Sequence, residues 1–136
     1  MKALTLLPMC ALAFTMSAQT IKSVPPNPTS PASGEQMFNE YCAVCHGKDA
    51  KGDGPAATAL KKAPADLTAL TRRNQGKFPE AKVYNIIKGD AGVAAHGSRE
   101  MPIWGDVFSS MSPGNTGQVQ MRIANLTHFV EDKQEK

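Results

Sequence analysis

Apolar residues recur at helical intervals in three stretches of this chain. In the first, Met37, Phe38, Tyr41, Cys42 and Cys45 lie three and four apart, the spacing that lines one face of a helix. Ser33 followed by Gln36 has the S-x-x-Q form of a capping box, so that helix is predicted to start there. In the last stretch Val119, Ile123, Leu126 and Val130 form a stripe with Phe129 alongside, and Asn115 or Thr116 can cap it. Such a stripe requires a partner helix to cover it. Between the two, Pro79 opens a segment with Val83, Ile86 and Ile87 that stops at Gly89. Pro55 to Leu60 and Leu67 to Leu70 read as short helices or turns, and Gly97 to Gly105 reads as a loop. No stretch alternates as a strand would. The pattern predicts an all-α domain of short helices joined by glycine- and proline-rich loops.

Both ends of the chain depart from this pattern. Met1-Lys2, the apolar run Ala3 to Phe14, and Ser17-Ala18 before Gln19 have the form of a secretory signal peptide over residues 1–18. The run is broken by Pro8 and falls short of the roughly 20 apolar residues of a permanent membrane span. Cys10 lies within it, but Leu7-Pro8-Met9 ahead of it is not the small-residue context expected of a lipidated cysteine. Residues 19–33 hold Pro25, Pro26, Pro28 and Pro31 among Ser, Thr and Asn, which predicts an extended linker that does not fold. Residues 34–132 then have the length of one small domain of about 100 residues, followed by a charged tail, 133–136. Asn125-Leu126-Thr127 fits a glycosylation acceptor but falls inside a predicted helix, and reads as chance.

Composition narrows the function classes. Only 6% of the residues are aromatic, so a protein-only core would be marginal at this size. The net charge of +3 falls to about +2 without Lys2, too little for a general nucleic-acid binder. Lys and Arg outnumber Asp and Glu by ten to five between residues 48 and 99. That surplus reads either as a solvated helical surface or as a basic face that steers an acidic partner.

Cys42-Ala43-Val44-Cys45-His46 changes the picture most. C-x-x-C-H is the spacing at which haem is attached covalently, the two cysteines forming thioethers and the histidine giving the proximal iron ligand. A thioredoxin-like reading needs strands around the motif, and these are missing. A zinc reading lacks a second pair of ligands and asks adjacent Cys45 and His46 to share one tetrahedral ion. A Cys42–Cys45 disulfide would close a strained loop. With the signal removed these two are the only cysteines left, so no structural disulfide is available. One covalently attached haem c, with its iron, is the expected cofactor, and it would add the apolar core that the chain lacks.

For the second axial position the sequence offers Met37, Met101, Met111, Met121, His96 and His128. Met37 precedes the motif on its own helix, while Met121 and His128 lie on the last helix, where packing or exposure is the expected role. Met101 sits in the predicted loop and is stiffened by Pro102. It is the leading candidate, with His96, five residues earlier, as the alternative. The choice sets the redox chemistry, since a thioether raises the reduction potential and a second imidazole lowers it.

Over residues 34–130 the chain resembles the class I c-type cytochromes, specifically small bacterial monohaem members. The resemblance is carried by Gly34, Phe38 and Tyr41, by Cys42, Cys45 and His46, by Gly54-Pro55, by Pro64-Ala65-Asp66-Leu67-Thr68, by Met101-Pro102-Ile103-Trp104-Gly105, and by Leu126 with Phe129. It implies a cytochrome c fold in which short helices wrap one haem and the first and last helices cross, with Gly34 close to Phe129. It also implies that the Pro55 carbonyl accepts a hydrogen bond from His46 Nδ1, and that Met101 is the distal ligand. Trp104 would lie near the porphyrin or a propionate, or serve as an ordinary core aromatic; Arg99 would pair with a propionate or stay exposed. With both axial positions filled, and no cluster of acid, base or nucleophile beside the motif, the implied role is outer-sphere electron transfer and not enzymatic catalysis. The expectation is an exported, periplasmic carrier, monomeric, soluble or loosely membrane-associated. It would have no permanent membrane span after signal removal and no nucleic-acid partner, and would dock transiently with a redox donor and acceptor. The alternatives are a fixed cytochrome subunit of an exported dehydrogenase or reductase, and a haem enzyme or sensor in which Met101 is displaceable.

Overall fold

The structure, a computed structural model, describes residues 26–90 and 101–135. The expected signal peptide, the first part of the linker, His96 and Arg99 lie outside the described residues. Among the described residues there are helices and no strands, so the all-α expectation is met.

The first helix begins where the capping residues predicted. Ser33 Oγ accepts the Gln36 backbone N–H at 3.1 Å, while the Gln36 side chain reaches back past Ser33 to accept the N–H of Ser30 at 3.0 Å. The helix is not uniform: an α-turn, α1 (Gly34–Met37), passes into a π-turn (Phe38–Cys42) and returns to an α-turn, α2 (Ala43–His46). The Ala43 N–H therefore bonds the Phe38 carbonyl, five residues back. Periodicity did not foretell this wide turn; such turns are common at functional sites, and this one runs into the two-cysteine motif and ends on its first cysteine, Cys42.

Three short elements follow. Ala57–Ala59 makes a single 3₁₀ turn, α3 runs Leu70–Arg73, and α4 runs Glu80–Lys88. Helix α4 matches its predicted limits, with Pro79 before its first residue and Gly89 closing it in the left-handed region at φ 93°. Helix α5, Trp104–Met111, starts inside a segment read from the sequence as a loop. Trp104, Val107, Phe108 and Met111 carry its i, i+3, i+4, i+7 stripe, and Trp104 and Phe108 are buried. Helix α6, Thr116–Asp132, is capped by the Asn115 side chain, which accepts the Gln118 N–H at 3.0 Å.

Helix α6 is the spine: α1, α4 and α5 all pack on it. At the crossing with α1, a Cβ placed on Gly34 would run into the Asn125 carbonyl and lie 2.9 Å from Phe129 Cβ, so only glycine allows the two backbones to approach as they do. Phe38 and Phe129 pack with ring centroids 5.0 Å apart, and Met37, Phe38, Phe108, Ile123 and Leu126 are almost wholly shielded from solvent.

The described part of the linker and the C-terminal tail both dock on the helices. Residues around Thr29 are non-helical, as the prolines require, but Tyr41 Oη donates to the Asn27 carbonyl at 2.5 Å. Buried Arg122 also holds the segment, donating to the Thr29 carbonyl at 2.9 Å and to Thr29 Oγ1 at 3.0 Å. At the other end Gln134 bonds the Leu67 carbonyl and the Thr71 N–H, at 2.7 and 2.8 Å, and Glu135 N–H reaches the Thr68 carbonyl at 2.9 Å. The tail thus ties the loop before α3 to the end of α6.

Candidate functional site

The motif is held by the loop that follows it. Gly52 N–H bonds the His46 carbonyl at 2.8 Å, Gly54 N–H the Cys45 carbonyl at 3.0 Å, and Ala56 N–H the Val44 carbonyl at 2.9 Å. The glycine-rich run after the motif therefore turns back and satisfies the carbonyls that the end of a helix leaves open. A Cβ on Gly54 would lie 2.6 Å from the Ala43 and Val44 carbonyl oxygens, which explains a glycine at that position.

His46 is oriented from one step further along. Its Nδ1 lies 3.1 Å from the Ala65 carbonyl oxygen, and not at the Pro55 carbonyl that the family resemblance implied. The reason is local. Leu67 N–H bonds the Ala50 carbonyl at 2.8 Å, drawing the Pro64-Ala65-Asp66 segment beneath the imidazole. Asp66 stiffens the turn by accepting the Thr68 N–H at 2.9 Å and the Thr68 hydroxyl at 2.6 Å. The hydroxyl bond, above all, holds the Asp66 carboxyl below the usual carboxylate range, with Arg73 and Arg72 adding to the effect. A carbonyl fixed in this way selects the tautomer with the proton on Nδ1, which makes Nε2 the nitrogen able to ligate a metal.

Between α1–α2, α3, α4 and α6 lies a cleft enclosing about 980 Å³ of space, the part open to solvent included. Cys42 and His46 stand on one side and Met101 also lines it. Leu70, Val83, Ile86, Ile87 and Leu126 supply apolar wall. Burial and then the neighbouring Cys45 push the Cys42 thiol up to about 12, so it is neutral. Both thiols are free. Cys45 is half-buried and is not among the cleft-lining residues. No group of three or more His, Cys, Asp or Glu stands together among the described residues, which leaves the zinc reading without a ligand set.

The remaining axial candidates separate by place. Met37 is fully buried in the core and Met121 is 48% exposed. Met111 lies 4.0 Å from Tyr41 Oη, away from the cleft. His128 is exposed, 3.9 Å from Glu80. Met101 is the one methionine among the described residues that shares the cleft with His46; His96 lies outside them. Trp104 stacks on Tyr41 with centroids 5.3 Å apart and packs on Phe108, so of the two roles open to it the structure gives it that of a core aromatic. Asn125 donates to the Pro31 carbonyl and Thr127 is 1% exposed, in keeping with a chance acceptor pattern.

The chemistry of the lining fits a covalent haem: a largely apolar slot that a cysteine and a histidine from the attachment motif share with the thioether of Met101. No helix among the described residues is long and apolar enough to cross a membrane. A family model described as cytochrome C oxidase, cbb3-type, subunit III matches residues 29–114, more than half of the chain and all of these elements except α6. Comparison with curated proteins and with solved structures gives no match.

Proposed function

Because the chain belongs to this family of cytochrome c domains, which bind haem c covalently and transfer electrons, we propose that it is an exported carrier that moves single electrons between a donor and an acceptor through a His46/Met101-ligated haem. When bound, the haem supplies a one-electron couple between ferric and ferrous iron. Cys42 and Cys45 anchor it through thioethers. His46 is held in register by the Ala65 carbonyl, and would hold the iron as a fixed, more basic imidazole. The apolar walls of α4 and α6 would keep water from the slot, and Met101, with Pro102 stiffening the chain after it, would supply the second iron ligand in place of a substrate.

The observation that carries this reading is that Met101, about 55 residues beyond the motif, lines the same cleft as His46. Transient docking is supported by two exposed apolar side chains beside the site's own residues, Val44 at 49% and Ile103 at 51%. Small, weakly held contacts of that kind suit repeated exchange of redox partners. The signal-like residues 1–18 support export to the periplasm.

The test is the absorption spectrum of protein made in cells that attach haem, oxidised and dithionite-reduced. Sharp low-spin bands on reduction, and a weak far-red sulfur-to-iron band on oxidation that disappears in Met101→Ala, are the expected result. High-spin bands, or a far-red region unchanged in Met101→Ala, would overturn His/Met ligation. A far-red band that was absent from the start would point to His96.

A further inference from the structure

The cleft is apolar except at one end. Apart from Cys42 and His46 of the motif, the described residues that line it and carry side-chain N–H donors are Arg73, Asn74 and Lys82. They come from the C-terminal end of α3 and the first turn of α4, and all three are exposed, so they ring the mouth of the cleft and not its floor. Arg73 is already oriented there: it donates to the Asp66 carbonyl at 3.2 Å, and its other terminal nitrogen is 4.0 Å from Asp66 Oδ2. These contacts leave N–H groups of the guanidinium unused. Asn74 donates to the Lys77 carbonyl at 2.7 Å, which fixes its side chain. Lys82 forms no ion pair among the described residues. Arg72, the neighbour of Arg73, turns elsewhere, pairing with Glu135 at 3.5 Å, and it does not line the cleft.

Resting on the haem reading above, we propose that Arg73 and Lys82, together with Asn74, receive the two haem propionates, and so fix which edge of the porphyrin faces the mouth between α3 and α4. A macrocycle with two carboxylates has an apolar body and an anionic end, and the cleft has the matching polarity. Carboxylates driven into the wall of Val83, Ile86 and Ile87 would be desolvated without partners, whereas a guanidinium can take a carboxylate through two parallel bonds. Cations at the mouth also favour the ferrous state, which carries one positive charge fewer than the ferric, so Arg73 and Lys82 raise the reduction potential. Asp66 is the opposing charge in contact with Arg73 and moderates its contribution.

The experiment compares haem-loaded wild type with Arg73→Gln, Lys82→Gln, the double variant and Arg72→Gln. Proton NMR of the reduced protein should show cross-peaks from the propionate methylenes to the Arg73 and Lys82 side chains. Arg73→Gln and Lys82→Gln should each lower the reduction potential, the double variant most, with Arg72→Gln unchanged. Propionate cross-peaks to other residues, or equal shifts in Arg72→Gln and Arg73→Gln, would overturn the proposal even with haem fully attached. Should a variant fold poorly, the wild-type cross-peaks decide alone. Failure of the wild type to attach haem at all would remove the haem reading, and this assignment with it, and is seen separately in the absorption spectrum.

Discussion

The two sides of helix α6 are built differently. Toward α1 and α5 it meets a finished protein core: Gly34 brings two backbones together, Phe38, Phe108 and Ile123 are at most 1% exposed, and Tyr41, Trp104 and Phe108 form one aromatic cluster. Even the awkward group on this side, Arg122, is satisfied by Thr29, by Met37 Sδ at 3.6 Å and by the Phe108 ring face at 5.7 Å, its Nε excepted. Toward α3 and α4 the same helix, through Leu126 and Val130, lines the apolar cleft. One side closes with protein alone; the other lines a cleft that the proposed haem would complete. A small chain with 6% aromatic residues thus concentrates its own packing where the helices must hold, and would leave the apolar surface of the cleft to the proposed porphyrin.

Breaking the closed side should have the largest effect. Gly34→Val places branched carbons against the Asn125 carbonyl and Phe129, and its cost should be about 3 kcal/mol or more, the upper end for overpacking. Denaturant unfolding would read it, and a cost below about 1 kcal/mol would contradict the close crossing. Next comes removal of the cofactor. A Cys42→Ser/Cys45→Ser variant that attaches no haem should lose hydrogen-exchange protection at the α4 amides Val83 to Ile87 while keeping more of it at the Phe38–Phe129 crossing. Uniform loss on both sides would mean that the closed core is not independent of the cofactor.

Arg122→Ala should cost about 2 kcal/mol, the scale of charged hydrogen bonds, and free the segment around Thr29. The sign of that freeing is faster exchange at the Ser30 and Ser33 amides, which bond Gln36 Oε1 and the Ser30 carbonyl, with the haem spectrum unchanged. The smallest effect concerns Asp66. Its folded pKa is lowered, chiefly by the Thr68 hydroxyl, so it contributes stability above its unfolded value of about 3.9, which is lost as pH falls through the folded value. Thr68→Val removes that bond, and its acid-unfolding midpoint should move to slightly higher pH, with no change at neutral pH beyond the loss of one ordinary hydrogen bond.

Much of the closed side was legible because its signals are local. The Ser33 cap, the α6 stripe and the Pro79–Gly89 limits of α4 each depend on residues within a turn or two of one another. Helix α5 was equally legible in principle: Trp104, Val107, Phe108 and Met111 hold a helical stripe, hidden by the reading of Gly97 to Gly105 as loop. Tyr41 could be placed on the helix, but its stacking with Trp104 depends on a contact 63 residues away.

The sequence by itself determined the haem-attachment motif, the all-α class and the helix that carries the motif, since spacing along a helix is a property of the chain alone. Only the tertiary structure decided that the Ala65 carbonyl orients His46, that Met101 and not Met37, Met111 or Met121 shares the cleft, that Arg122 straps the Thr29 segment down, and that Arg73 faces the mouth while Arg72 turns to Glu135. Each of these is a choice among chemically equivalent groups, many carbonyls, several methionines and adjacent arginines. Such groups differ only in where the packing of distant segments puts them.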